Sequence, residues 1–301
     1  MNSAWQSLPE RGSPGLIRFI AWLSLTTDRR LGRALLYPIC LYFLLSSAVA
    51  RTASRRYLAR VQPRGPHLAQ VFKHFLTFAQ VTLDRIYFLA GRLALFQISI
   101  SGQEAIDSQL EKNRGFIFLG AHLGSFEVLR CLGTQKRQMP LKIMMYPDNS
   151  QRILTILAAI NPDLAEEIIP LGRPNTMLLA KQHLDKGGII GLLGDRITRG
   201  DKTLSADVLG DPAPFPAGPL LLASMLKAPV ILFRGLYRGG NRYDVTFELL
   251  AEEIVLARDS RQEELKAWVA RYAAYIDRGC RLAPYNWFNF YDFWHEPQDA
   301  A

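Results

Sequence analysis

Four short runs dominate the middle of the chain: GFIFLG (115–120), LKIMMY (141–146), EEIIPLG (166–172) and IIGLLG (189–194). A run with almost no polar position offers no face to water, so it belongs in a sheet covered on both sides. Helical segments separate the runs. One extends from Phe126 to Leu132, a second from Gln151 to Ile160 before Asn161-Pro162, and a third is TMLLAKQHLDK, with Asn175 placed to cap it and Gly187-Gly188 turning the chain into the next strand. Strand and helix in alternation require crossover connections. The pattern therefore predicts an α/β fold, a largely parallel central sheet flanked by helices. Downstream, VLGDPAPFPAGP (208–219) reads as a proline-punctuated loop leading into the helix LLLASMLK. VILFRGLY and YDVTFELL flank Arg238-Gly239-Gly240-Asn241 and predict a hairpin on the sheet edge. A last long helix opens on a capping box of Ser260 and Glu263, and Leu265, Trp268, Val269, Tyr272, Tyr275 and Ile276 repeat at helical spacing behind it.

Ahead of this pattern lies a different composition. Ala34 to Ala50 is an uncharged apolar run at the short limit for spanning a bilayer, and a second apolar patch, Leu16 to Leu25, precedes it. Arg29, Arg30 and Arg33 stand on one side of the run and Arg51, Arg55, Arg56, Arg60 and Arg64 on the other, so basic residues set no orientation across a membrane. Basic flanks on both sides suit a segment lying in the interface, and Pro38 is expected to kink any helix through it. The run starts too late for a cleavable signal. Residues 68–97 return as an aromatic-rich helical region. The expected division is an N-terminal hydrophobic, helical, membrane-anchoring region over 1–97 and a catalytic α/β domain over 98–301.

A formal charge of +9 favours acidic partners. There is no zinc finger, no RNA-recognition signature and no basic run interleaved with stacking aromatics, so nucleic acid is not an expected partner. Cys40, Cys131 and Cys280 are far apart and lack the spacing of a disulfide framework or a zinc site, so no metal is expected and the thiols read as reduced and mostly buried.

The chemistry concentrates in GAHLGSFE. His122 lies two residues beyond an apolar strand and Ser125 is placed to cap the following helix, which puts the histidine in a turn at the carboxyl edge of the sheet, where ligand sites gather. On one continuous helix His122 and Glu127 would be far apart around the axis. With His122 in the turn and Glu127 in the first helical turn, the carboxylate reaches back to the imidazole, fixes its tautomer and raises the basicity of the other nitrogen. An imidazole held this way is a general base for an attacking hydroxyl or amine. Gly124 leaves room for substrate near the backbone, and amides at the helix start are candidates for holding an oxyanion. Ser125 lacks the G-x-S-x-G elbow of a serine nucleophile.

HLGSFE resembles the H-x4-D/E motif of the glycerolipid acyltransferase superfamily, in particular its lipid A biosynthesis branch. HLDKGGIIGLLGDR is similar to that branch's second block, with Asp195 matching and Arg196 departing from the usual Gln. VLGDPAPFPAGPLLLASMLKAPVILFRGLY looks like the third, covering Pro216, Gly218 and Pro219 and ending near Arg234. The resemblance implies a glycerolipid acyltransferase-like fold, no cofactor, and transfer of a fatty acyl chain from acyl carrier protein or acyl-CoA to a hydroxyl or amine of a membrane lipid or glycolipid, such as a lipid A precursor, at the cytoplasmic face of a bacterial inner membrane. It makes His122 the base and Glu127 its orienting partner. Gly124, Ser125, Asn149, Arg152, Asp195, Arg196, Gly218 and Arg234 are the candidates for substrate or oxyanion contacts. Acyl carrier protein, anionic membrane lipid and the lipid acceptor are the expected partners. At the C-terminus the branch's basic, tryptophan-containing stretch is replaced by FNFYDFW after Pro284 and Trp287, which keeps open a lysophospholipid, glycerol-phosphate or aryl-polyene pigment-lipid acceptor. An inactive relative that binds lipid or carrier protein is the non-enzyme alternative.

Overall fold

The structure is a computed structural model, and it describes residue 15 and residues 22–62, 65–129, 140–146, 167–198 and 200–295. After a helical stretch at 22–26 come α1 (Arg29–Ser46), α2 (Ala48–Val61) and α3 (Leu68–Leu89). Then follow β1 (Gln97–Ser101), α4 (Glu104–Glu111), β2 (Phe116–Gly120), β3 (Leu141–Met145), β4 (Ile168–Pro170), α5 (Thr176–Asp185) and β5 (Ile189–Leu193). The chain continues through β6 (Thr203–Val208), β7 (Asp211–Pro216), α6 (Gly218–Leu226), β8 (Val230–Tyr237), β9 (Arg242–Ala251) and α7 (Arg261–Leu282).

Seven strands form one sheet in the order β1-β9-β8-β2-β5-β3-β4. The central pairs β8/β2, β2/β5, β5/β3 and β3/β4 are all parallel, and β9 runs antiparallel to β8. The apolar runs therefore form the parallel core that their composition demands, and every residue of β2 and β8 is buried. The expected helix over Gln151 to Ile160 and the last three residues, 130–132, of the one beginning at Phe126 lie outside the described residues, as does Cys131; residues 127–129 are helical, and Cys40 and Cys280 are free and buried.

Several local expectations are corrected. The β8/β9 hairpin is not at the sheet edge, because β1 pairs with β9 on its outer side. The supposed loop over 208–219 is instead half of a hairpin: β7 pairs antiparallel with β6, with Pro212, Pro214 and Pro216 opposite Asp207, Ser205 and Thr203. Prolines at alternate positions place their ring nitrogens on one side of a strand, here the outer edge, so no ladder bond is lost. Leu209 and Gly210, both at positive φ, make the two-residue turn. Pro38 lies within α1 without ending it; the chain breaks at Ser47, where α1 and α2 meet at 96°. Asn175 and Ser260 occupy N-cap positions but make no side-chain cap bond. At α7 the hydroxyl of Ser260 bonds to Glu264 rather than Glu263, and Glu264 also accepts from the Ala257 amide.

Among the described residues no single helix is long and apolar enough to cross a membrane, although α1 and α2 meet that test as a bent pair. Nor are α1, α2 and α3 packed apart from the rest. Cys40, Leu44, Tyr57, Leu58 and Phe75 share one hydrophobic cluster with Leu119, Ile190, Tyr272 and Trp287. Buried Asp84 of α3 accepts from Arg29 and Arg33 of α1 and from Tyr243 of β9, binding helix to helix and both to the sheet.

Candidate functional site

The register of β2 and β5 builds the site. Gly120 faces Leu193, and the Gly194 amide bonds back to the Gly120 carbonyl, so the two chains leave the sheet side by side. Two residues beyond Gly120 is His122, and two beyond Leu193 is Asp195. The imidazole Nδ1 lies 2.7 Å from Oδ1 of Asp195, and the His122 amide donates to both carboxylate oxygens at 3.0 and 3.1 Å. Asp195 is fully buried, whereas the His122 side chain keeps 27% of its surface exposed.

Asp195 is held from its other side by the C-terminal segment. The indole N–H of Trp287 donates to Oδ2 at 3.1 Å and the Asn289 amide donates to the same oxygen at 2.8 Å. Phe288 N–H donates to the His122 carbonyl and the Gly124 N–H to the Asn286 carbonyl, so residues 286–288 run antiparallel beside the His122 turn, bridged at Leu123 and Trp287. Asn286 in turn exchanges two hydrogen bonds with the Tyr237 backbone at the end of β8. Arg196 closes the arrangement by donating to the Asn289 side chain and the Phe288 carbonyl.

Burial alone would push the Asp195 carboxyl up, but His122, Arg196 and Asn289 overcome it and hold the group well below the usual carboxylate range. The imidazole is shifted down by burial and by the positive charges of Arg196 and Arg85, against the pull of Asp195. His122 is therefore neutral near pH 7, with the proton on Nδ1 shared with a carboxylate. That leaves Nε2 with the free lone pair.

Glu127 does not reach the imidazole. It forms an ion pair with Arg85 of α3 at 2.5 Å, and the carboxylate facing His122 comes from the next strand instead. Spacing alone points Glu127 back toward His122; Arg85, whose charge also lowers the imidazole, takes up that carboxylate instead. The amides of Gly124 and Ser125 are not free for an oxyanion, since they donate to the carbonyls of Asn286 and Gly235. Gly124 is glycine for close strand packing: it has positive φ, and a Cβ there would run into the Gly235 carbonyl. Ser125 is buried with its hydroxyl unpartnered, so it does not cap the helix that begins at Glu127. Gly218 is exposed at the first position of α6. Arg234 lies on β8 beneath α7, stacked on Tyr275. Asn149 and Arg152 lie outside the described residues.

Trp287 and Asn289 went unread as site residues. A tryptophan buried to 1% needs a partner for its N–H, and that rule is the signal that points inward from the aromatic C-terminal stretch. Among the described residues no cluster of His, Cys, Asp and Glu is arranged to hold a metal ion.

A search of curated proteins gave no match. Residues 67–296 match the bacterial lipid A biosynthesis acyltransferase family, a span that runs from the start of α3 through the strand that clamps Asp195. The chain thus belongs to the bacterial lipid A biosynthesis acyltransferases and is a lipid acyltransferase.

Proposed function

We propose that the protein transfers a fatty acyl chain from acyl carrier protein or acyl-CoA to a hydroxyl or amine of a membrane lipid or glycolipid, with His122 as general base and Asp195 as the group that orients it. The 2.7 Å contact between Nδ1 and a buried carboxylate carries this reading. With Nδ1–H donated to Asp195, Nε2 removes the proton from the acceptor as its oxygen or nitrogen attacks the thioester carbonyl. Asp195 stabilises the imidazolium that results. Collapse of the tetrahedral intermediate expels the thiolate, which takes the proton back from Nε2. In this reading Glu127, paired with Arg85, positions the acceptor.

The acceptor is drawn from lipids at the cytoplasmic face of a bacterial inner membrane, and both supports for this are surface properties. The net charge of +9 suits anionic lipid and an acidic carrier protein. Tyr37, Leu41, Tyr42 and Leu45 of α1 are all exposed.

The test is to incubate membranes with radiolabelled acyl carrier protein and to identify any labelled lipid by mass spectrometry. Full-length protein is expected to label one lipid class, and His122→Ala to label none while still binding the membrane. Equal labelling by His122→Ala overturns the assignment of the base.

A further inference from the structure

Arg234 has a problem that the acyl-transfer chemistry does not solve. Its residue is only 8% exposed, yet Nε and Nη1 have no hydrogen-bond partner. The carboxylates on the same face are engaged elsewhere: Asp244 pairs with Arg238 at 2.7 Å and Glu248 with Arg278 at 2.8 Å. Among the described residues the guanidinium meets the ring face of Tyr275, 4.6 Å away. A buried cation without a counter-charge is costly, and a cation–π contact recovers only part of that cost.

Arg234 also forms part of the wall of a cavity of about 360 Å³ where the end of α7 leaves β9 and β1 uncovered. The register of the strands lines Ser99, Ser101, Asp244 and Thr246 along the same wall, with Thr246 directly opposite Arg234 and Ser101 directly opposite Thr246. The cavity therefore combines an unpaired guanidinium, a second arginine that has its own carboxylate, and three hydroxyls, of which Ser101 donates to Thr246 at 3.3 Å and leaves the Thr246 proton available to a ligand. Hydroxyls grouped around a guanidinium suit an anion with several acceptor oxygens better than a carboxylate with two.

We propose that this groove is an anion site that takes a phosphate group, as a phosphomonoester or phosphodiester, on Arg234, Ser101 and Thr246. None of these residues touches His122 or Asp195, so this site is distinct from the acyl-transfer site. It lies directly behind it, however, because Gly235 pairs with Gly124 of the catalytic turn. Two sources offer the same chemistry: a soluble ester such as the phosphate of 4′-phosphopantetheine, and a phospholipid headgroup.

Binding rather than turnover tests the proposal, so its outcome does not depend on the acyl-transfer reading. Titration calorimetry on the full chain with inorganic phosphate and with 4′-phosphopantetheine is expected to show saturable binding that Arg234→Met weakens roughly tenfold or more. Flotation with phosphatidylcholine vesicles, with and without phosphatidic acid, covers the lipid source. There the quantity read is the extra retention due to phosphatidic acid that Arg234→Met loses. Loss of the phosphopantetheine signal supports the soluble source, and loss of the phosphatidic acid increment supports the headgroup. Thr246→Asp gives a second measurement should the first variant fold poorly. By placing a carboxylate opposite Arg234 it is expected to raise Tm in phosphate-free buffer and to abolish the rise that phosphate gives the unaltered chain. Phosphate that binds both variants as tightly as the unaltered protein, or that binds none of the three, overturns the proposal.

Discussion

His122 takes its character from the groups around the carboxylate that holds it. Asp195 accepts from the imidazole, from the His122 backbone, from Trp287 and from Asn289, and every donor favours the ionised form. Removing one donor leaves the carboxylate more basic, and a more basic carboxylate grips the imidazolium more tightly. Trp287→Phe keeps the ring and deletes only the N–H. Burial and the charges of Arg196 and Arg85 hold the His122 imidazole below its ordinary range, so the acid limb of kcat/KM should lie low as well and should move upward in Trp287→Phe. Activity at low pH then falls more than activity at pH 8. An unmoved limb with a uniform loss of rate would reduce Trp287 to a packing residue. The sequence makes His122 legible as the candidate base because a histidine just past an apolar strand has few places to be. It did not make the partner legible by spacing, since Asp195 is local to His122 only through the β2/β5 register. Continuing that register two residues past Gly120 and Leu193 brings the pair together. The tryptophan and asparagine arrive from still farther along the chain and leave no local pattern.

Among the elements, α3 joins the most parts of the molecule through buried polar groups. Its periodicity announces a helix, and its apolar faces announce burial. What the periodicity hides is that His74, Asp84 and Arg85 each hold a different part of the molecule: α2 and the C-terminal segment, α1 and β9, and Glu127 at the start of the helix after the His122 turn. This is why α1, α2 and α3 do not pack as a unit of their own. His74 is completely buried between Ser54 Oγ at 2.8 Å and the Trp287 carbonyl at 2.9 Å, and burial pushes its imidazole down to about 4. The unfolded chain takes up that proton near the ordinary value of 6.5. Between those two values the unfolded state binds more protons, so stability falls as pH drops from 6.5 toward 4, by roughly 3 kcal/mol in all. Thermal melts across that window should show the loss, and His74→Gln, which does not titrate, should flatten it even if the variant starts from a lower Tm. A slope that persists unchanged in His74→Gln would place the acid sensitivity elsewhere. The sheet itself was readable because wholly apolar runs admit few alternatives. The β6/β7 hairpin was not, because three prolines hide a strand whose ladder bonds lie on the opposite edge.

For the molecule as a whole, the question is how a lipid acyltransferase meets a substrate dissolved in a bilayer. α1 is apolar almost all the way round, yet only one side of it packs. Leu36, Cys40 and Leu44 are buried at four-residue spacing, while Tyr37, Leu41 and Leu45, each one position further round, are exposed to 51%, 49% and 69%, with Tyr42 beside them at 65%. A contiguous apolar face of this kind on a folded domain marks a surface that something covers. The 96° break at Ser47 turns α2 away from the line of α1; just beyond it Arg51 donates to the Leu44 and Leu45 carbonyls, while Arg55 is exposed and suits a lipid phosphate. The helix pair thus suits a segment resting in one leaflet, with leucine and tyrosine inserted and arginine at the headgroup level. Removing two leucines from the interior of a bilayer and adding two charges costs several kcal/mol. Leu41→Asp with Leu45→Asp should accordingly weaken co-sedimentation with anionic vesicles by about a hundredfold or more. Since both positions are exposed in the folded protein, Tm should change little. Transfer to a detergent-dispersed acceptor should survive in the variant, because His122, Asp195 and the strand that clamps them are untouched, whereas transfer to the same acceptor in vesicles should fall with the binding. If the variant sediments with vesicles as the unaltered chain does, α1 is not the contact, and the protein meets the bilayer through another face.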